Sequence, residues 1–445
     1  MDLSVSTITL YPMTASSRKI LFLTFFCLFL MAAPTIILYS QGYRLSIPPQ
    51  NGKILVKTGG LFVKATPKQA DIYVNGGLSK KTDIFFGSSL IENLMPKKYD
   101  IEIRKEGYHS WKKQLEIREK QVTEIKYVTL FPQNPSFAVA AEDVNRFWPS
   151  PDGTKIILYS EATDGWSIKL FNVENGLKSQ LAEESDISAD GAKLESLEWS
   201  QDNKKITITA GLHDEQRYYS LSVDRLSPQL IREDNSVLAP EGSVADKLSD
   251  NTLFYLDKSG FLFKKDTVAG QIEKINEKPL PIDEKAAHKI WNINGFIFLS
   301  DGQNLYVFDG KSQEFQKIFD GLASDLEIAP DGTKIAYFSN SELWVYYLKE
   351  KTDEPKKAAG DKLFVVRLSE KIQDSAWISS DYLAFSSGGN VKIAEMDDRD
   401  KLNVIDLVKF SGDGRTGSSQ NLFWENSKNN FYVLDGTDLY KAEIK

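Results

Sequence analysis

Three histidines, one cysteine and a recurring aspartate are the residues in this chain best suited to chemistry. His109, His213 and His288 are scattered, with no short ligand spacing between them, so the sequence predicts no metal site. Cys27 is the only cysteine and lies inside an uncharged apolar run, so no disulfide forms within the chain. Asp152, Asp202 and Asp331 recur in similar surroundings, which raises the question of calcium. The D-x-[DN]-x-[DN]-G loop that calcium needs is absent, and a turn role explains them better. Tyr108, His109 and Trp111 cluster just after Gly107. Aromatic faces beside a turn can stack on a sugar or a peptide, but such side chains more often form the edge of a core. No Gly-x-Ser-x-Gly, His-Glu-x-x-His or phosphate loop occurs, so no catalytic residue and no cofactor is assigned.

The elements that carry these residues begin with an anchor. Ile20 to Leu38 is 19 residues without a charge. At about 1.5 Å per residue it roughly spans a hydrocarbon core of about 30 Å. Tyr39 and Tyr43 suit the interfacial aromatic belt. The rival is a cleaved signal peptide, whose apolar core is shorter, roughly 7–15 residues, and ends in an A-x-A-like site. The longer run here and the poor Met31-Ala32-Ala33 site favour an uncleaved anchor. Arg18 and Lys19 precede the run, while Arg44, Lys53 and Lys57 follow it, so counting basic residues does not orient it. A short basic tail before an apolar run resembles a signal anchor, which places the C-terminal domains outside. The net charge of −8 argues against nucleic-acid binding, since phosphates would be repelled.

A β module follows. Ile54 to Val56 and Leu61 to Val63 flank Thr58-Gly59-Gly60, a turn signal. Asp71 to Val74 ends at Asn75-Gly76, a strong hairpin signal. Tyr99, Ile101 and Ile103 alternate with polar residues and predict one buried strand face. Strands are also expected over 111–117 and 122–128, giving six or seven in a sandwich-like fold, with Pro132 and Pro135 marking a linker. Pro67 with Ala70, Asn75-Gly76, Leu94-Met95-Pro96 with Tyr99, and Gly107-Tyr108 occur in an order that resembles the PEGA family. Lys68-Gln69 stands in place of the Glu-Gly pair that names the family, and Lys97-Lys98 in place of the usual glycine after Pro96. The resemblance implies a surface-exposed, non-enzymatic β module joined to other domains, and it supplies no ligand.

The rest of the chain repeats. Leu197-Glu198-Trp199-Ser200-Gln201-Asp202-Asn203 aligns with Leu326-Glu327-Ile328-Ala329-Pro330-Asp331-Gly332, and Phe147 to Gly153 is a third copy. Weaker copies centre on Leu248, Asn292, Trp377 and Trp424, so centres fall 36 to 51 residues apart. That is close to the length of a four-stranded propeller blade, roughly 40–45 residues in known arrays. In the turn, Pro presets φ, Asp bonds the backbone ahead and Gly accepts a positive φ. These repeats resemble the TolB-type or WD40-like propeller class, without the Gly-His and Trp-Asp pairs of true WD40 blades. Seven blades are expected. The last has three strands of its own, ending in 439–444, and Ser136 to Ala140 is apolar enough to supply the fourth.

The sequence therefore reads as all-β behind one helix. A tail spans 1–18, a transmembrane anchor 19–40, a PEGA-like domain 41–133 and a propeller 134–445. The expected partners are the lipid bilayer, through residues 20–38, and a protein or glycan at the cell surface. The alternative is an envelope hydrolase acting on glycan or peptide with paired carboxylates on propeller loops.

Overall fold

A computed structural model of the chain describes residues 15–50, 52–163, 165–188, 191–212, 215–224, 229–233, 240, 243–245, 252–281, 286, 288–410 and 420–444. Residues 1–14 of the tail, His213 and the repeat centre at Leu248 lie outside these. The chain divides into two compact units, Met1–Lys105 with Ser110–Thr129, and Glu106–His109 with Leu130–Lys445.

The first unit opens with α1, Ala15–Ser40, whose 26 residues are long and apolar enough to cross a membrane. None of its side chains is buried. Strands β1 (Tyr43–Gln50) and β2 (Lys53–Lys57) pair as a two-stranded hairpin. Seven more follow: β3 (Gly59–Thr66), β4 (Asp71–Val74), β5 (Gly77–Lys81), β6 (Ser88–Leu94), β7 (Lys98–Arg104), β8 (Trp111–Glu116) and β9 (Val122–Thr129). They form one sheet in the order β6-β3-β9 and another in the order β5-β4-β7-β8. Asn75 and Gly76 both take positive φ, 50° and 80°, so the expected hairpin turn is present. Tyr99, Ile101 and Ile103 are all buried, as their alternation predicts.

One expectation fails. Thr58-Gly59-Gly60 is not a turn between β2 and β3. β2 pairs with β1, and Gly59 and Gly60 are the first residues of β3. The physical reason for the glycines is crowding. A Cβ on Gly59 would stand 2.3 Å from the carbonyl oxygen of Arg118, because β3 runs parallel to β9 and the chain entering β9 crosses there.

Among the described residues the second unit holds seven four-stranded antiparallel sheets, each a blade. Six take four consecutive strands. The seventh is completed from the other end of the sequence: β10 (Ala138–Ala141) pairs with Asp438–Glu443, outside Asn430–Asp435 and Asn421–Glu425. The register is Ala138 with Lys441 and Val139 with Tyr440. Phe137 adds an edge-on contact to Phe410, and Val144 N–H donates to the Thr437 carbonyl. This is the predicted closure, and it removes a free edge strand.

Apolar clusters join neighbouring blades around the ring. Ile157 and Trp166 pack with Ile206 and Ile208 between blades one and two. Phe298 meets Tyr337 between four and five, and Leu343 meets Phe385 between five and six. Trp424 and Phe431 meet Ile393 between six and seven. Tyr432 and Leu439 then meet Ile156 and Phe171, which carries the core from blade seven back to blade one. The expected Pro-rich linker is more ordered than a linker. Phe131 is buried edge-on against Tyr382. His109 N–H donates to the Phe131 carbonyl, and Gln133 N–H to that of Gly107.

Candidate functional site at the inner rim of the ring

In blades three to seven the first strand lies against the first strand of a neighbour: Val244–Ala245 on Lys289–Ile293, Glu327–Ile328 on Ile372–Ser379, and that strand on Asn421–Glu425. These strands are therefore the inner rim. Reading the repeat copies in register, the residue three before each centre falls in one column. In blades four to seven that column is Lys289, Asp325, Asp374 and Asn421. Neighbours in it interact in pairs around the rim. Lys289 forms an ion pair with Asp325. Asn421 hydrogen bonds to Asp374, whose Oδ2 also accepts the Leu422 N–H at 2.7 Å.

Glu327 sits beside this column. Burial holds its carboxyl well above the ordinary range, and the charges of Asp374 and Asp325 push it the same way. Asp374 is also pushed up, to about 6, by burial that outweighs its hydrogen bonds from Leu422, Ser375 and Asn421. The Asp374 charge thus favours the neutral form of the Glu327 carboxyl. A neutral carboxyl here can donate a hydrogen bond or a proton. Among the described residues no group of three or more His, Cys, Asp or Glu is arranged to hold a metal ion.

The recurring aspartates serve turns. Asp152 accepts from the Ser150 hydroxyl at 2.7 Å and from Thr154 N–H at 3.0 Å. Asp202 repeats this with Ser200 and Lys204, and Asp331 takes Thr333 N–H. Gly153 and Gly332 have φ of 72° and 66°, and Asn203 takes the same position at 59°. Asparagine tolerates that conformation, which is why the copy without Pro-Asp-Gly still turns. The turns also peg blades together: Asp152 N–H donates to the Asn203 side chain, and Asp331 N–H to the Ser380 hydroxyl. Tryptophans act alike on the rim. Trp199 Nε1 donates to the Trp148 carbonyl and Trp377 Nε1 to that of Glu327, each at 3.0 Å.

The aromatic trio divides between the two units. Trp111 belongs to the first and is 4% exposed, with the Lys113 ammonium 5.8 Å from its ring. It is a core residue, as the core-edge reading of the cluster expects. Tyr108 and His109 belong to the second. Tyr108 bridges to Pro132. Burial lowers the His109 pKa, against the opposing pull of Asp406 on the outer strand of blade six. Sequence reasoning missed Glu327 and Asp374. The signal was available in the column three before each repeat centre, where polar residues recur.

Residues 58–130 match the family model of the PEGA domain. This stretch is a PEGA domain. A search of curated proteins found no match. Solved structures resemble the chain more distantly. YCF48 from Cyanidioschyzon merolae is 12% identical, with TM-score 0.44, over 69% of this chain and 99% of its own. The β-propeller domain of Cps50 (Swd1) from Myceliophteria thermophila is 12% identical, TM-score 0.43, over 71% and 100%. The extracellular domain of the hybrid two-component system BT4673 from B. thetaiotaomicron is 13% identical, TM-score 0.42, over 69% and 40%. The propeller assignment rests on the sheet order and register described above. The PEGA domain thus takes in β3 to β9, while β1 and β2 precede the match.

Proposed function

We propose that the protein is a single-pass, membrane-tethered scaffold that uses its propeller, and its PEGA domain, for non-enzymatic contact with a protein or glycan outside the cell. The observation that carries this reading is the order of parts. A helix long enough to span a bilayer is joined by two residues to β1, then come the PEGA domain and a closed seven-bladed ring. The polar groups of the inner rim already have structural work: Asp374 holds Leu422 of the next blade, and Lys289 holds Asp325. The faces of the ring are then left for recognition, and fold alone names no ligand. Protease added to intact cells should remove the C-terminal region while a tag before Arg18 survives. A protected C-terminal tag would invert the topology. The detergent-solubilised full chain, used as bait against surface extracts, should capture a defined partner without turning it over.

A second reading has one observation in its favour. Burial and the charges of Asp374 and Asp325 hold the Glu327 carboxyl well above its ordinary range, and two carboxyls with separated tasks are what glycan hydrolysis uses. Hydrolysis of a glycan or peptide library that is lost in Glu327→Gln would replace the scaffold reading.

A further inference from the structure

The β1–β2 hairpin has two unlike faces. Ser46 and Val56 are 5% and 2% exposed. Leu45, Ile47 and Leu55 alternate with them and are 69%, 88% and 40% exposed. Successive strand residues point to opposite sides, so these three share the outer face, with Leu45 directly opposite Leu55. At its base the same face carries Tyr43 and Lys57, with the ammonium 5.0 Å from the ring. An isolated two-stranded sheet is only marginally stable in water, and this one leaves an aliphatic face bare.

The position of the hairpin says what covers that face. Only Gln41 and Gly42 separate α1 from β1. At no more than about 3.6 Å per residue, Leu45 lies within roughly 18 Å of Ser40. The base is also clamped to the helix end. The Gly42 carbonyl accepts from Thr58 N–H at 2.8 Å and from its hydroxyl at 2.9 Å. The Arg44 guanidinium lies 3.5 Å over the Tyr39 ring, donates to the Tyr39 carbonyl, and reaches Asn93 Oδ1 on β6 at 2.8 Å. A helix of 26 residues is about 39 Å long, against a hydrocarbon core of about 30 Å. Its last turn therefore ends among lipid headgroups, and the hairpin starts there.

We propose that the β1–β2 hairpin lies on the bilayer surface, with Leu45, Ile47 and Leu55 at the boundary between headgroups and acyl chains. This rests on the reading of α1 as an anchor. The backbone edges of the hairpin stay in the hydrated headgroup layer, where water satisfies them, so no unpaired peptide group enters hydrocarbon. Arg44 and Lys57 place positive charge at the level of lipid phosphates. The hairpin is then a foot that fixes the attitude of the helix exit.

The test uses the full chain in a Cys27→Ser background. Single cysteines at Ile47, Phe26 and Lys80 each carry a nitroxide, in vesicles of phosphatidylcholine with one part in four phosphatidylglycerol. Ile47 is so exposed that its replacement leaves the fold intact. Collision with oxygen is compared with collision with a water-soluble nickel chelate. The proposal expects the probes at 26 and 47 to shift towards oxygen and the probe at 80 towards the chelate. Oxygen preference at 26 with chelate preference at 47 overturns the hairpin proposal and leaves the anchor standing. Chelate preference at 26 overturns the anchor reading, and this proposal with it. Dipolar broadening at 47 that disappears on dilution with unlabelled protein means that a second copy covers the face, which also overturns it.

Discussion

Blades six and three follow one four-strand plan and hold it together by different means. In blade six the second strand, Tyr382–Ser387, is buried at every position. Three of its buried polar side chains are engaged: the Ser386 hydroxyl donates to the Gln420 carbonyl and that of Ser387 to the Glu370 carbonyl, while Glu395 accepts from the Asn403 backbone and side chain. In blade three the outer strand, Ile272–Lys274, has only three residues and is wholly exposed. A single buried side chain supplements the short ladder. Asn276 accepts from Leu262 N–H and donates to the carbonyls of Gly260 and Lys278. Gly260 has φ of 85°, and a Cβ there would meet the Leu280 carbonyl oxygen at 1.9 Å. The lesson is that a repeat conserves its plan more strictly than its source of stability: one blade spreads the work over a strand, the other concentrates it in an amide and a glycine.

The largest expected effect tests the well-packed side. Phe385→Ala should cost about 3–5 kcal/mol, as deletion of a fully buried aromatic does. Phe254→Ala, on the half-buried second strand of blade three, should cost about 1–2 kcal/mol because less area is lost. Equal costs in urea unfolding would break the contrast. Next comes the closing strand. Ala141→Asp places an unpaired charge at a site 2% exposed and should cost about 3 kcal/mol, while Ile272→Asp at 57% exposure should stay within about 0.5 kcal/mol. Asn276→Ala should then cost about 2 kcal/mol, since it strands buried backbone partners. A negligible loss would show that blade three does not depend on that amide.

The smallest effect concerns the rim. Asp374 binds its proton more tightly in the folded ring than at its ordinary value of 3.8. Its contribution to stability is thus full below that value and is lost as pH rises through about 6. The slope should not exceed about 1.4 kcal/mol per pH unit. Asp374→Asn should flatten it, so that the variant gains on the parent as pH climbs from 4 to 7. Melting curves across that range, with parallel profiles for the two proteins, would sink this account.

Much of this architecture is legible in sequence because local chemistry and global fold agree. Asn75-Gly76 fixes its hairpin by backbone preference alone. The turns around Asp152 and Asp331 announce their blades, and apolar 137–140 announces the closure. What stays hidden depends on contacts between distant segments. Gly59 resembles a turn residue until the chain at Arg118 is placed beside it. Trp111 could stack on a ligand until the fold leaves it only 4% exposed. Glu327 is an ordinary strand carboxylate until burial and Asp374 of the next blade act on it.

The partnership of β10 with Asp438–Glu443 also orders events in time. About 300 residues of chain separate the two strands, so the contact that completes the ring can form only after the six intervening blades have been synthesised. Until residues 438–443 emerge, β10 waits with its pairing edge uncovered, and six blades stand in an open arc. A ribosome that stalls or a protease that clips late in the chain leaves a molecule with two unpaired edges rather than a slightly shorter propeller. The seam therefore works as an inspection step: only a chain translated past Glu443 can seal itself.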